Sequence, residues 1–326
     1  MAASGPEVRD GRPRSGKCEA GSKVPRAWPR HRYPRGGGVA DRRRKARACD
    51  GDEGETPVMQ LALLGGGRMG EALLSGMLDA GWDTDALAVA EVDPERRRQV
   101  EERFRGVRVV PSPAWAVAES DVVVLAVKPG DVGAALEQAI SSLKTDALVL
   151  SIAAGVTLAT LEEAVPDRPV VRAMPNTAAL VRKGAAAIAG GRHATEAHLD
   201  EAERILGSVG VVVRVPEELL DAVTGLSGSG PAYVFLVAEA MVEAGVLVGL
   251  PRETAATLVH QTLVGAAALL VEGTEGPEAL RAAVTSPGGT TAAGLARLEA
   301  HGVRAAFLEA VEAATRRSEE IGRPHR

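Results

Sequence analysis

A glycine run set between strand-like and helix-like sequence narrows the folds open to this chain. Gln60-Leu61-Ala62-Leu63-Leu64 reads as a short buried strand, Gly65-Gly66-Gly67-Arg68-Met69-Gly70 follows, and helical sequence fills 71–80. Further strand-like runs lie at 87–90, 107–110, 121–127, 147–152, 169–172 and 209–215, most of them separated by helical sequence. Continuous Val/Leu runs alternating with helices predict parallel strands covered on both faces. The fold class is therefore α/β: an N-terminal Rossmann-like, doubly wound, mostly parallel sheet. After about residue 216 the strand signal stops, and Ala-rich helical sequence, broken at 249–251 and 286–289, predicts an all-α C-terminal domain. The expected organisation is a basic extension over 1–57, a dinucleotide-binding domain over 58–216 and an all-helical domain over 217–326.

Charge supports that division. Residues 1–57 carry 14 basic and 8 acidic groups, leaving 24 against 35 for the remainder of a chain whose net charge is −5. The extension is rich in Gly, Pro, Arg and Ser without apolar periodicity, a composition expected to stay disordered. Its run Arg42-Arg43-Arg44-Lys45 reads as a solvated tail, as sequence upstream of the true start at Met59, or as a nucleic-acid or anionic-surface tag. An acidic body argues against nucleic acid as a partner. Both cysteines, Cys18 and Cys49, fall in the extension, so the body has no disulfide or thiolate nucleophile and fits a reducing, cytoplasmic setting. No pair of histidines shows metal-ligand spacing, and no metal site is expected. The longest apolar stretch, 231–250, is interrupted by Glu239 and Glu243, which reads as the wet edge of a buried helix rather than a membrane span.

Gly65, Gly67 and Gly70 have the context a dinucleotide fingerprint requires, after a strand and opening a helix. The first permits the tight turn, the second lets backbone approach a pyrophosphate, and the third allows close helix–strand packing. Arg68 and Met69 would offer N–H groups from the helix start. Glu91, ending the second strand, stands where a carboxylate accepts from the adenosine ribose; that favours NADH, whereas Arg96, Arg97 and Arg98 either receive a 2′-phosphate or form a solvated face. Two more strand ends carry unusual sequence: Ala126-Val127-Lys128-Pro129, and Ser151-Ile152-Ala153-Ala154-Gly155, where small residues either let a nicotinamide ring lie against backbone or serve ordinary helix packing. Arg172 reads equally as an ion-pair or a ligand residue. The helical half has two hydroxyl-rich loops, 224–231 and 285–291, each either a carboxylate receptor made of hydroxyls and N–H groups or a helix–helix turn. The first lacks the spacing of a nucleophile elbow.

These motifs occur together in a recognisable order. Gly65-Gly66-Gly67-Arg68-Met69-Gly70, Ala126-Val127-Lys128-Pro129, Arg172-Ala173-Met174-Pro175-Asn176-Thr177, the run from Asp221 through Thr224-Gly225-Leu226-Ser227-Gly228-Ser229-Gly230-Pro231 to Tyr233, and Thr285-Ser286-Pro287-Gly288-Gly289-Thr290-Thr291 all resemble the pyrroline-5-carboxylate reductase family. The resemblance spans about 59–321 and leaves the extension without a counterpart. It implies reduction of pyrroline-5-carboxylate to L-proline by NADPH or NADH, and a helical domain that forms dimers, often assembled further into decamers. It implies cofactor contacts from Gly65, Gly67, Arg68, Met69, Gly70, Glu91, Ala126, Val127, Lys128, Pro129, Ala153 and Ala154. Substrate contacts fall to Ser286, Gly289, Thr290 and Thr291, with Ser286 and Thr291 as the catalytic pair. An Asn that the family uses after the third strand is Pro113 here, so that contact is not carried over. Two rival readings are a reductase of the 3-hydroxyacid dehydrogenase type and a non-catalytic dinucleotide-binding assembly protein.

Overall fold

The computed structural model describes residues 59–322, together with Met1. The extension, with Cys18, Cys49 and the Arg42–Lys45 run, lies outside the described residues.

Eight strands form one sheet: β1 (Leu61–Leu64), β2 (Leu87–Ala90), β3 (Arg108–Val110), β4 (Val122–Leu125), β5 (Leu148–Ser151), β6 (Val170–Met174), β7 (Gly184–Gly190) and β8 (Gly210–Arg214). Their order is β3-β2-β1-β4-β5-β6-β7-β8, parallel throughout except between β6 and β7. The reversal of order beside β1 opens a crevice at the strands' carboxyl ends, where ligands of such sheets bind. Helices α1 (Arg68–Asp79), α2 (Pro94–Arg103), α3 (Pro113–Val117), α4 (Val132–Ala139), α5 (Leu158–Ala164) and α6 (Glu196–Gly207) connect the strands. Because side chains alternate along a strand, Leu61 and Leu63 enter one buried cluster and Ala62 and Leu64 the other, so both faces are apolar.

β7 lies outside the strand expectation. Its sequence, GAAAIAG, is poor in β-branched and aromatic residues, and pairing on both sides holds it in the sheet. β7 and β8 approach so closely at Gly184 and Gly210 that a Cβ on Gly210 would overlap the backbone of Gly184.

The C-terminal part is helical: α7 (Leu220–Val223), α8 (Gly230–Leu247), α9 (Arg252–Glu272), α10 (Pro277–Ala283), α11 (Thr290–Ala300) and α12 (Val303–Gly322). The stretch 224–231, expected as a loop, is instead a π-turn over Thr224–Gly228 that joins α7 to α8. Thr224 and Ser227 turn their hydroxyls back onto the carbonyls of Leu220 and Val223, so these hydroxyls cap their own helix rather than face a ligand. α12 is tied to α7 by Ser318, whose Oγ donates to Asp221 at 2.6 Å.

The helix expected to be buried stands largely exposed within this one chain. Within α8 to α11 only Val242, Ala255 and Val259 are buried. Gly245 lets α8 and α9 meet, its Cβ position lying 2.9 Å from Ala255. The outer surfaces stay apolar and exposed, including Phe235, Leu236, Leu247, Leu258 and Val264. Glu217–Leu247 and Arg252–Glu272 are in fact long and apolar enough to cross a membrane by length and composition.

Candidate functional site

The cofactor candidates lie along one line at the carboxyl ends of β2, β1, β4 and β5, which are consecutive neighbours in the sheet. Gly65, at φ +110°, turns the chain out of β1 while its N–H donates to Ala90 O at 2.9 Å. A Cβ there would lie 2.7 Å from Ala126 O, so the turn and the neighbouring strand end leave room for hydrogen alone. Gly70 presses against Gly65 O with no space for a methyl group. Gly67 differs: among the described residues nothing lies within 4 Å of its Cβ position, and no side chain caps α1 behind it. An open glycine before an uncapped helix start leaves the first N–H groups facing outward, a cradle that suits a pyrophosphate. Met69 turns its side chain toward the core, so only its backbone belongs to the loop surface, whereas Arg68 is exposed.

Glu91 is built into this loop. One carboxylate oxygen accepts from Gly66 N at 2.9 Å and the other from Asp93 N at 3.0 Å. Arg96 and Arg97 are not a plain solvated face. Arg96 donates through Nε to Gly66 O at 2.7 Å and pairs with Glu71 at 2.9 Å, while Arg97 donates to Glu91 O at 2.8 Å. Arg98 pairs with Glu95 along its own helix. The carboxylate and two arginines therefore share the end of β2.

Ala126 and Val127 are half-buried, and Lys128 and Pro129 are exposed at the start of a 3₁₀ turn. Ala153 is buried and Ala154 exposed in the 152–157 loop, where Ser151 Oγ accepts from Ala153 N at 3.3 Å.

The substrate candidates lie on another part of the chain. Gly288, at φ +71°, and Gly289 turn α10 into α11, with Gly289 N donating to Ser286 O at 3.0 Å. No side chain caps α11. Ser286, Thr290 and Thr291 are exposed and Gly289 half-buried, so nothing among the described residues encloses them. Hydroxyls and helix-start N–H groups gathered in one turn have the chemistry to receive a carboxylate.

Two polar residues that sequence alone did not single out as contacts connect the halves. Asn176 accepts from Ala185 N and donates to Ser227 O, both at 3.1 Å. Glu217 receives the guanidinium of Arg172 at 2.9 Å, which settles Arg172 as an ion-pair residue. The partners are 45 residues apart, too far for any local pattern to show.

Comparison with known proteins converges with this geometry. A family model described as pyrroline-5-carboxylate reductase dimerisation matches residues 217–321, and one described as NADP oxidoreductase, coenzyme F420-dependent, matches residues 60–155. The chain is 46% identical to a pyrroline-5-carboxylate reductase of Mycobacterium tuberculosis, covering 80% of this chain and 96% of that one. Among solved structures, a pyrroline-5-carboxylate reductase from Coxiella burnetii is similar with TM-score 0.78 and 35% identity, covering 82% of this chain and 99% of that one. The Plasmodium falciparum pyrroline carboxylate reductase, solved with NADP bound, is similar with TM-score 0.71 and 30% identity over 81% and 98% of the two chains. A sheet with an open glycine cradle, followed by the matched dimerisation helices, places this chain in the pyrroline-5-carboxylate reductase family.

Proposed function

We propose that this protein reduces the C=N bond of pyrroline-5-carboxylate to give L-proline, the last step of proline biosynthesis, with NADPH as its reductant and NADH as an alternative. The observation that carries the reading is the pairing, in one member of the family, of an uncapped glycine cradle at Gly67 with an uncapped, hydroxyl-rich turn at 286–291. When bound, the reduced nicotinamide supplies a hydride equivalent for the C=N carbon, and a proton goes to the nitrogen. The chain's own residues bind and orient. Gly65, Gly67, Arg68, Met69 and Gly70 hold the pyrophosphate, Glu91 faces the adenosine ribose, and 126–129 with Ala153 and Ala154 line the path to the nicotinamide. Ser286 and the N–H groups of Gly289 and Thr290 receive the substrate carboxylate. Thr291 directs its hydroxyl to the ring nitrogen. A protonated cyclic imine is already electrophilic, so orientation carries most of the work.

A steady-state assay with pyrroline-5-carboxylate and each reduced cofactor tests the reading. Binding of NADPH without its oxidation would overturn it in favour of a non-catalytic assembly protein.

The family model over 217–321 makes self-association part of this protein's design. A dimer is the unit we propose, with a ring of five dimers as the larger assembly and the cytoplasm as its location. Light scattering and cell fractionation test these in turn.

Glu91 sets cofactor preference in this scheme. Its carboxylate, fixed by two backbone N–H groups beside Arg96, opposes a 2′-phosphate while those arginines attract it. Glu91→Ser is expected to move the ratio of kcat/KM for NADPH over NADH upward about tenfold, equivalent to ~1.4 kcal/mol. An unchanged ratio would show that the carboxylate does not face the ribose.

A further inference from the structure

We propose that Glu217 is a positioning residue for the nicotinamide end of the cofactor site, acting through the 152–157 loop; this rests on the function proposed above. The carboxylate lies at the start of the helical half, yet its contacts are with the sheet. One oxygen, Oε1, accepts both from Arg172 Nη1 at 2.9 Å and from Leu158 N at 2.7 Å. Arg172 sits on β6 with its side chain only 7% exposed. Burying a guanidinium costs several kcal/mol in desolvation, and a well-packed apolar residue would hold the sheet as well. What the pair adds is direction, because it fixes the carboxylate where the first N–H of α5 must meet it.

The consequence falls on the loop between β5 and α5. Its near end is fastened to the sheet, Ile152 N donating to Leu125 O at 3.2 Å and Ala153 N to Ser151 Oγ at 3.3 Å. Its far end makes local bonds at Thr157, and the hydrogen bond that ties it to another element is the one to Glu217. Gly155, at φ +75°, forms the bend between them, and Ile321 at the end of α12 lies against it, 2.9 Å from the Cβ position. Two elements of the helical half, the segment at 217 and the end of α12, thus clamp the loop that carries Ala153 and Ala154. The helical half sets the surface against which the nicotinamide would lie, while the glycine loop, at the end of β1 and without a bond to Glu217, holds the other end of the dinucleotide.

Glu217→Ala separates the two ends. In cofactor-free protein, amide hydrogen exchange at 154–158 is expected to quicken at least about tenfold, with β1 and β4 unchanged. NADPH affinity by fluorescence should stay within about threefold, because the glycine loop is intact. With substrate, kcat should fall roughly tenfold to a hundredfold, and the primary isotope effect from 4-deuterated cofactor should rise as the transfer distance loosens. Glu217→Gln keeps an oxygen acceptor for Leu158 N and should restore exchange and kcat nearly to those of the unaltered protein. Since Glu217→Ala strands a buried Arg172, the double variant Arg172→Met/Glu217→Ala removes charge and partner together and should show the same loop and kcat phenotype in a well-folded protein. Unchanged exchange at 154–158, or an unaltered kcat in the double variant, would overturn the proposal. If the unaltered protein shows no reductase activity, the proposed function fails by itself, while the exchange measurement still reads the clamp.

Discussion

Thr291→Ala is expected to lower kcat/KM for pyrroline-5-carboxylate roughly ten- to a hundredfold, with a clear fall in kcat. The reasoning begins with the turn at 286–291. It holds no Lys or Arg, so hydroxyls and backbone N–H groups must do all the recognition of an anionic substrate. Hydrogen bonds to a charged group are worth ~1.5–3 kcal/mol, which sets the size of the effect. A hydroxyl that merely holds the carboxylate contributes equally to ground and transition states and acts on KM. One that orients the ring nitrogen gains strength as that nitrogen changes charge, and acts on kcat. Ser286→Ala should therefore raise KM while leaving kcat close to its starting value, and Thr291→Ala should lower kcat. Neither change should alter NADPH affinity, because the glycine loop lies on the other half of the chain. Unaltered kinetics in Thr291→Ala, or a defect confined to NADPH binding, would move the active site elsewhere.

Much of this was legible in the sequence because the relevant interactions are local. The strand–Gly65–Gly67–Gly70–helix context is written in eleven consecutive residues, and the structure adds the reason for two of them: Ala126 O beside Gly65 and Gly65 O beside Gly70. β1, β4 and β5 announce themselves as unbroken apolar runs because both faces are buried. β7 does not, since its Ala and Gly residues carry no strand signal and its place is decided by β6 and β8. The π-turn at 224–228 carries a loop-like sequence for a related reason. Gly and Ser favour loops in isolation, whereas the close packing of Gly225 on Val311 and Thr315 of α12, with Tyr233 and Asn176 bonded to the turn's carbonyls, keeps the chain wound there. Glu217 gave no signal because Leu158 and Arg172 lie far away in sequence, and Asn176, though part of a quoted motif, gave no sign of its bond to Ser227 for the same reason.

The exposed helices supply the other large effect: Phe235→Asp should leave the protein monomeric at micromolar concentration and lower its activity more than about a hundredfold. Phe235 is 67% exposed on α8 and lines a shallow groove with Ala238, Val242, Arg252, Ala256 and His260. Within one chain a carboxylate there touches little and should barely disturb folding. If a second copy covers this face, the change loses ~1.5–3 kcal/mol of apolar burial and adds the cost of desolvating a charge. Twofold symmetry counts both terms twice. A total near 6 kcal/mol weakens association about 10⁴-fold. Activity should fall with it, because Ser286, in the turn between α10 and α11, and Thr291, on α11, are exposed like the face of α8, and both flanking helices bury no residue among those described. NADPH binding gives the contrast. The cradle at Gly65–Gly70 is complete within one chain, so a monomer should still bind cofactor with affinity changed by less than about threefold. A dimer that survives the substitution would place the contact surface on another face. A monomer with full activity would show that one chain alone encloses the substrate, and that the exposed turn closes without help from a second copy.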